Sequence, residues 1–327
     1  MSNVSIGTGE KKSRTLELGY FLGKYNLLIL LLVFISIAST LSSRFFTIQN
    51  FLNLLQQSSV TGIMAIGMTF VILVAGIDLS VGSIAALSGM VVAMLLAAGW
   101  SIPLAIILAL AAGGVLGFVS GFLSAKFNIP SFIATLAMMV SARGLALLVT
   151  NGQPIYGLPE SFSFLGAGFI GRVPVSGLVW IMLTIVAALA LKYTPYGRNL
   201  FAVGGNPEAA HLSGVRVNRH LISVFVISGI LSGLAGVVLT SWLTVGQPTA
   251  SSGAELNAIA AVVLGGTSLA GGVGGVVGTF AGVLLMSIIT NIFNLVGLAS
   301  YYQQIFMGLI IMLALILNKF VMGKNAH

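Results

Sequence analysis

The chain has no cysteine, and only 6% of its 327 residues are charged. Without thiols there is no disulfide framework, no zinc–thiolate site and no cysteine nucleophile. Three histidines, His211, His220 and His327, are too few and too scattered for a histidine-rich metal site. With six acidic residues in all, no pair of carboxylates falls at one depth, which disfavours an intramembrane enzyme. A soluble domain carries about 25% charged residues, far more than this chain. What it has instead is apolar surface: 57% hydrophobic residues, 41 glycines and a mean hydropathy of +1.10. Apolar runs of about 18 residues or more recur along its length, the pattern of an all-α, polytopic membrane protein.

Ten spans are expected, at 25–42, 58–76, 80–98, 102–124, 130–150, 175–193, 220–243, 255–271, 273–293 and 301–320. The first and eighth are short for a crossing of about 20 residues; dropping one pair of weak spans leaves eight crossings in the same orientation. Unpaired backbone cannot face lipid, so every span is expected to be helical. With the N-terminus inside, the inner side receives Lys11, Lys12, Arg14, Lys24, Lys126, Lys192, Arg198, Arg216, Arg219, Lys319 and Lys324. The outer side receives Arg44 and Arg172, and Arg143 falls within the fifth span. This positive-inside bias puts both termini in the cytoplasm and explains a pI near 10.0 without nucleic acid. The expected organisation is a cytoplasmic tail (1–24), a transmembrane region (25–320) interrupted by an inward loop (193–219), and a short C-terminal tail (321–327). The first apolar run is read as an uncleaved helix rather than a removable leader.

Gly113, Gly117 and Gly121 lie four apart on one helical face, the spacing that lets membrane helices approach closely. The stretch from Leu264 to Gly278 is denser in glycine still, yet it fails the dinucleotide fingerprint because Val277 stands where the third glycine belongs. No G-x-x-x-x-G-K-[ST] occurs, so the chain carries no P-loop for ATP. Close packing and a tight turn between two spans are the expectation here. Gly76–Gly82 and Gly266–Gly272 share the pattern G-x-x-L-x-x-G, each between adjacent spans. Glycine-interrupted helices at matching places in two halves point to a translocation site.

The inward loop contains Asn206-Pro207-Glu208-Ala209-Ala210-His211-Leu212-Ser213-Gly214. Asn206 suits an N-cap, Pro207 the first helical position and Glu208 the positive end of the helix dipole. Gly214 suits a left-handed terminator. A two-turn cytoplasmic helix is therefore expected, tethered to two membrane helices. Glu208-Ala209-Ala210-x-x-x-Gly214 resembles the E-A-A-x-x-x-G loop of ABC importer permeases, whose short coupling helix docks on an ATPase subunit. Further blocks resemble the ribose-type simple-sugar branch: Phe45-Phe46-Thr47-Ile48-x-Asn50, Gly67 to Leu73, Gly76 to Ser83, Gln247-Pro248-Thr249-Ala250, and most closely Ala258 to Gly272. They run in family order from about residue 45 to the C-terminal part of the chain. Where that pattern commonly reads E-L-D-A-I-A, this chain reads Glu255-Leu256-Asn257-Ala258-Ile259-Ala260, exchanging a carboxylate for an amide.

The resemblance implies a permease subunit that carries a small neutral sugar inward by alternating access. It implies an ATP-binding partner inside, an extracytoplasmic sugar-binding protein outside, and a second permease copy or a homologous permease, all at the bacterial plasma membrane and in contact with its lipid. No cofactor, metal or nucleic acid is expected. Only Asp78, Arg143 and Glu255 are ionisable within or at the edges of spans. Neutral hydrogen-bonding residues are more plentiful: Gln56, Gln57, Ser58, Ser59, Thr69, Asn257, Thr267, Ser268, Asn291, Asn294, Gln303 and Gln304. Asp78, Thr69, Asn257, Thr267, Ser268 and Asn291 are the pathway candidates, and Asn206, Pro207, Glu208, Ala209, Ala210 and His211 with Gly214 the coupling candidates. Each pathway candidate has a bland alternative: Asp78 as a helix cap, Arg143 snorkelling or bound to a helix-end carbonyl, the asparagines bonding between helices. The outer loop 151–173, with Pro154, Tyr156, Leu158, Pro159, Phe162 and Phe164, and the loop 247–255 are candidate docking patches or interface anchors. A gradient-driven transporter or channel is the competing class, and it would favour more buried carboxylates or basic relays.

Overall fold

The computed structural model describes residues 31–36, 39–42, 44–299, 301–306, 308–309 and 312. Ten of the helices among them carry the fold: α1 (Ile48–Leu73), α2 (Val81–Ala97), α3 (Ile102–Phe127), α4 (Ser131–Leu148), α5 (Val175–Tyr193), α6 (Pro195–Gly205), α7 (Pro207–Leu212), α8 (Val217–Leu243), α9 (Ala254–Leu264) and α10 (Val276–Val296). The one two-stranded pair among the described residues, Phe169–Ile170 with Val173–Pro174, lies in the connection between α4 and α5. Six helices, α1, α3, α4, α5, α8 and α10, are long and apolar enough to cross a membrane.

The helices match the expected ten spans in part. The first and tenth fall partly, and both termini wholly, outside the described residues. The third is a 17-residue helix, α2. The eighth is only the 11-residue α9, about 16 Å long, half of a hydrocarbon core. The second begins ten residues before its expected start at 58, because Thr47 caps α1 by accepting the Asn50 N–H at 3.2 Å. Gln49, Asn50, Asn53, Gln56 and Gln57 depress the hydropathy of that first stretch without breaking the helix. The expected eighth span is helical only as far as Leu264. Residues 74–80, 244–253 and 265–275 are non-helical connections built into the helical body.

α1 and α8 form the centre, with α3 and α4 at the periphery and mostly uncovered. α8 runs antiparallel to α3, so that Gly113 meets Gly229, Gly117 meets Phe225 and Gly121 meets Ile222. A Cβ on Gly117 would collide with the Phe225 carbonyl and lie 3.2 Å from the Gly229 Cα. Lipid gives helices no hydrophobic reason to associate, so backbone-to-backbone dispersion at such a crossing carries the packing. The same register sets Lys126, in the last turn of α3, at the same end of the pair as Arg216 and Arg219 at the start of α8. Lys192 closes α5 at the same end, where the chain enters α6 and α7. The fold therefore gathers basic residues at the face that carries the short helices, in keeping with their expected inward orientation.

Candidate translocation and coupling site

The short helices are built from local signals. Asn206 accepts the Ala209 N–H at 2.9 Å through its side chain and Pro207 opens α7. A cap of this kind stabilises a helix by about 1 kcal/mol, which matters for one only six residues long. Glu208 lies in its first turn, and Gly214 takes the left-handed φ of +84° just beyond it. Ala210 is buried, while Leu212 is 82% exposed, an apolar side chain presented to the outside. An open recess of about 580 Å³ between α7 and α8 is lined by Pro207, Glu208, His211, Arg216, Val217, Asn218 and Arg219.

Within the expected loop 193–219 the structure places a second helix, α6, where the sequence analysis expects only one. Its signal is the same cap-then-proline pattern: Thr194 accepts the Gly197 N–H at 3.2 Å and Pro195 follows. α6 is pinned to α8 by Tyr196, 2.7 Å from the Ser223 hydroxyl and stacked on His220, and by Asn199 at 3.4 Å from His220. Burial raises the Tyr196 hydroxyl above its ordinary range, and the Ser223 hydrogen bond opposes this in part, so the phenol is neutral near pH 7.

At its far end α6 meets two helix breaks at once. The Gly272 N–H donates to the Leu73 carbonyl at 2.9 Å, joining the break between α9 and α10 to the break between α1 and α2. Gly204 of α6 lies directly against both: a Cβ there would clash with the Leu73 carbonyl and approach the Gly272 nitrogen to 2.5 Å. Gly271 and Gly272 hold φ of +84° and +71°, left-handed values that only glycine adopts cheaply. Both G-x-x-L-x-x-G stretches thus lie at breaks that touch each other and α6.

The polar candidates sort by surroundings. Asp78 is fully buried, with Oδ1 accepting the Ser80 N–H at 3.0 Å and the Ser80 hydroxyl at 2.5 Å, and Oδ2 accepting the Ser228 hydroxyl at 2.7 Å. It ties the first break to α8. The backbone of that break is satisfied from α4: Ser131 Oγ accepts the Ile77 N–H, and Thr135 Oγ1 accepts the Leu79 N–H, both at 3.1 Å. Ser131, Thr135 and Ser228 do not stand out in the sequence, where the only hint is a Ser/Thr pair one turn apart at the head of a span. Thr69 is buried and lies 2.7 Å from Thr279 between α1 and α10. Asn291 forms a reciprocal amide pair with Asn50, at 2.9 and 3.0 Å. Thr267 Oγ1 accepts the Gly275 N–H at 3.3 Å, and Ser268 Oγ the Ala270 N–H at 3.2 Å, shaping the second break. Of the six pathway candidates only Asn257 is exposed among the described residues.

Arg143 binds loop carbonyls rather than a helix-end carbonyl. Its Nη1 donates to the Pro248 and Ala250 carbonyls at 2.8 and 2.9 Å, gripping the connection between α8 and α9. The outer loop is likewise docked rather than free. Ile155 exchanges backbone hydrogen bonds with Gly246, Phe162 is 1% exposed, and Ser241 receives the Gly166 N–H while donating to the Phe162 carbonyl. Tyr156 and Phe164 remain outward-facing.

Residues 50–315 match the family of branched-chain amino acid transport system permease components. The chain belongs to this permease family. It is 44% identical to a ribose import permease protein of Haemophilus influenzae over 97% of this chain and 99% of that one. It is 48% identical to a ribose import permease protein of Escherichia coli, over 89% and 92% of the two chains. An L-arabinose ABC transporter permease protein of Azospirillum brasilense is 40% identical over 89% and 87%. No solved structure matches the chain. With six apolar spanning-length helices, this permease is an integral protein of the inner membrane.

Proposed function

We propose that the chain is the membrane subunit of an ATP-driven sugar importer, moving a small neutral sugar of the ribose type into the cytoplasm by alternating access. The observation that carries this reading is the seating of α6, the neighbour of the capped helix α7, against both helix breaks, on a permease closely similar to ribose import proteins. ATP hydrolysis belongs to a separate subunit docking at α7 and the recess beside it, where Leu212 offers an apolar anchor and Glu208, His211, Arg216 and Arg219 offer polar partners. A sugar-binding protein delivers the solute on the opposite face, near the outward Tyr156 and Phe164. A second permease copy, or a homologous chain, completes the pore. Asp78, Thr69 and Asn291 act as clasps between helices, and the scarcity of buried carboxylates suits an uncharged cargo.

The coupling assignment is tested at Gly214, where a side chain meets no neighbour within 4 Å but must adopt a left-handed φ. Gly214→Val strains the helix terminus by about 1–2 kcal/mol, whereas Gly214→Asn is tolerated there. Gly214→Val is expected to lower both recovery of the ATPase subunit in pull-downs and sugar uptake, by about tenfold if the strain is expressed at the docking surface, with membrane insertion unchanged; Gly214→Asn restores most of both. Full ATPase recovery and uptake in Gly214→Val would overturn the assignment.

A further inference from the structure

Between α8 and α9 the chain does something that a membrane span does not ordinarily do. After Leu243 the helix stops at Thr244, whose φ is +55°, and ten residues pass before α9 begins. The position of this segment is fixed by its neighbours. Gly246 packs on α2 near its far end, with a Cβ there 2.5 Å from the Ala93 Cβ and 3.6 Å from the Met90 Sδ. Further on, the Ser251 carbonyl and the Glu255 carboxylate close over Gly82 at the start of the same helix. Positions 82 and 93 of an α-helix are about 16 Å apart along its axis, so the segment descends beside an apolar helix through roughly half the thickness of a hydrocarbon core. It lies along the length of α2 rather than beyond its end.

Its backbone is held rather than hydrogen-bonded into a helix. Arg143 supplies donors to the Pro248 and Ala250 carbonyls from α4. Ser251 sits at φ +56° with its hydroxyl buried and without a hydrogen-bond partner, and Gly253 at φ +79° starts α9. Backbone strain of this sort concentrates where a site needs a particular shape. Meanwhile Gln247, Thr249, Ser252 and Asn257 stay exposed among the described residues. Non-helical backbone with polar side chains does not face lipid; at membrane depth it is tolerated only against protein or along a water-filled cavity.

Building on the importer reading, we infer that the strip 244–253, continued by Asn257, is a re-entrant wall of the solute path, with Arg143 setting its shape. Its exposed groups are amides and hydroxyls, which donate and accept hydrogen bonds without net charge. That chemistry suits a polyhydroxylated, uncharged solute. Asn257 belongs to it as a neutral member, in the position where the family pattern commonly carries a carboxylate.

The absence of cysteine from the whole chain makes the test direct. Thr249→Cys, Ser252→Cys and Asn257→Cys are introduced singly into the full transporter, in native membranes, and treated with a charged, membrane-impermeant methanethiosulfonate in right-side-out and inverted vesicles. Val140→Cys and Val186→Cys, 65% and 58% exposed on apolar spans, report the rate at a lipid-facing site. Leu212→Cys reports the rate in free water. The strip positions are expected to react from at least one side at about tenfold or more above the lipid-facing rate, since only the hydrated thiolate is reactive, and their modification to block D-ribose uptake. Rates no higher than Val140→Cys at all three positions, while Leu212→Cys reacts, would overturn the inference, whether lipid or a dry contact with a second copy is responsible. Reactivity is read without transport, so an unmodified transporter that moves no neutral sugar contradicts the importer reading without deciding whether the strip is hydrated.

Discussion

Gly204→Ala is expected to cut sugar uptake per folded transporter about tenfold, a change of roughly 1.4 kcal/mol in coupling between sites. The reason is geometric. Gly204 lies in the last turn of α6, and a single methyl there would push into the Leu73 carbonyl and against the Gly272 nitrogen. That added Cβ would prise apart the backbone hydrogen bond that joins the two helix breaks, Gly272 N–H to Leu73 O at 2.9 Å. On our account, a movement of α7 reaches the solute path through α6 and this junction, so ATP hydrolysis should continue while sugar movement falls. The neighbouring Gly205, where an added methyl group would meet no atom within 4 Å, is the control: Gly205→Ala should be close to wild type. The measurement is the ratio of sugar transported to ATP hydrolysed in proteoliposomes, normalised to folded protein. A merely structural role lowers uptake and hydrolysis together and leaves that ratio unchanged.

The second large effect lies at the crossing of α3 and α8. Gly117→Val places three carbons where the Phe225 carbonyl and the Gly229 Cα already stand, and neither belongs to a side chain that could rotate aside. Overpacking of this kind costs about 1–3 kcal/mol or more, and helices in lipid have no hydrophobic drive in reserve to hold them together. The expected result is a fall in Tm of roughly 5–10 °C for the detergent-solubilised protein, on the scale of about 2–4 °C per kcal/mol, with reduced recovery of monodisperse protein. Gly144→Val is the matched control, because Gly144 is also on an apolar span and has open space around it. Equal destabilisation of the two variants would show that helix propensity, not the crossing, governs the effect.

Much of this architecture is legible in the sequence where the signal is local. The short helix α7 can be placed to within a residue because Asn206, Pro207 and Gly214 act on the backbone a few positions away. The close crossing of α3 is visible as Gly113, Gly117 and Gly121, although its partner face on α8 is not. The breaks are harder. Gly, Ala, Val and Ser keep a segment apolar whether or not it is helical, so an average of hydropathy runs straight through 265–275 and counts α9 as a span. Arg143 stands out as costly, but its partners lie 105 and 107 residues away, and no periodicity reveals them. The bond from Ser80 N–H to Asp78 is local, since the two are two residues apart; the bond from Ser228, 150 residues away, needs the fold.

The central claim is that this chain moves sugar only when an ATPase drives it. The most direct measurement is D-ribose accumulation in proteoliposomes holding the purified chain, with and without its co-purified ATPase subunit and sugar-binding protein. Our account predicts accumulation only with all components and ATP on the ATPase side, and none by the chain alone under an imposed proton or sodium gradient. Concentrative uptake by the chain alone, driven by either gradient and indifferent to ATP, would contradict it.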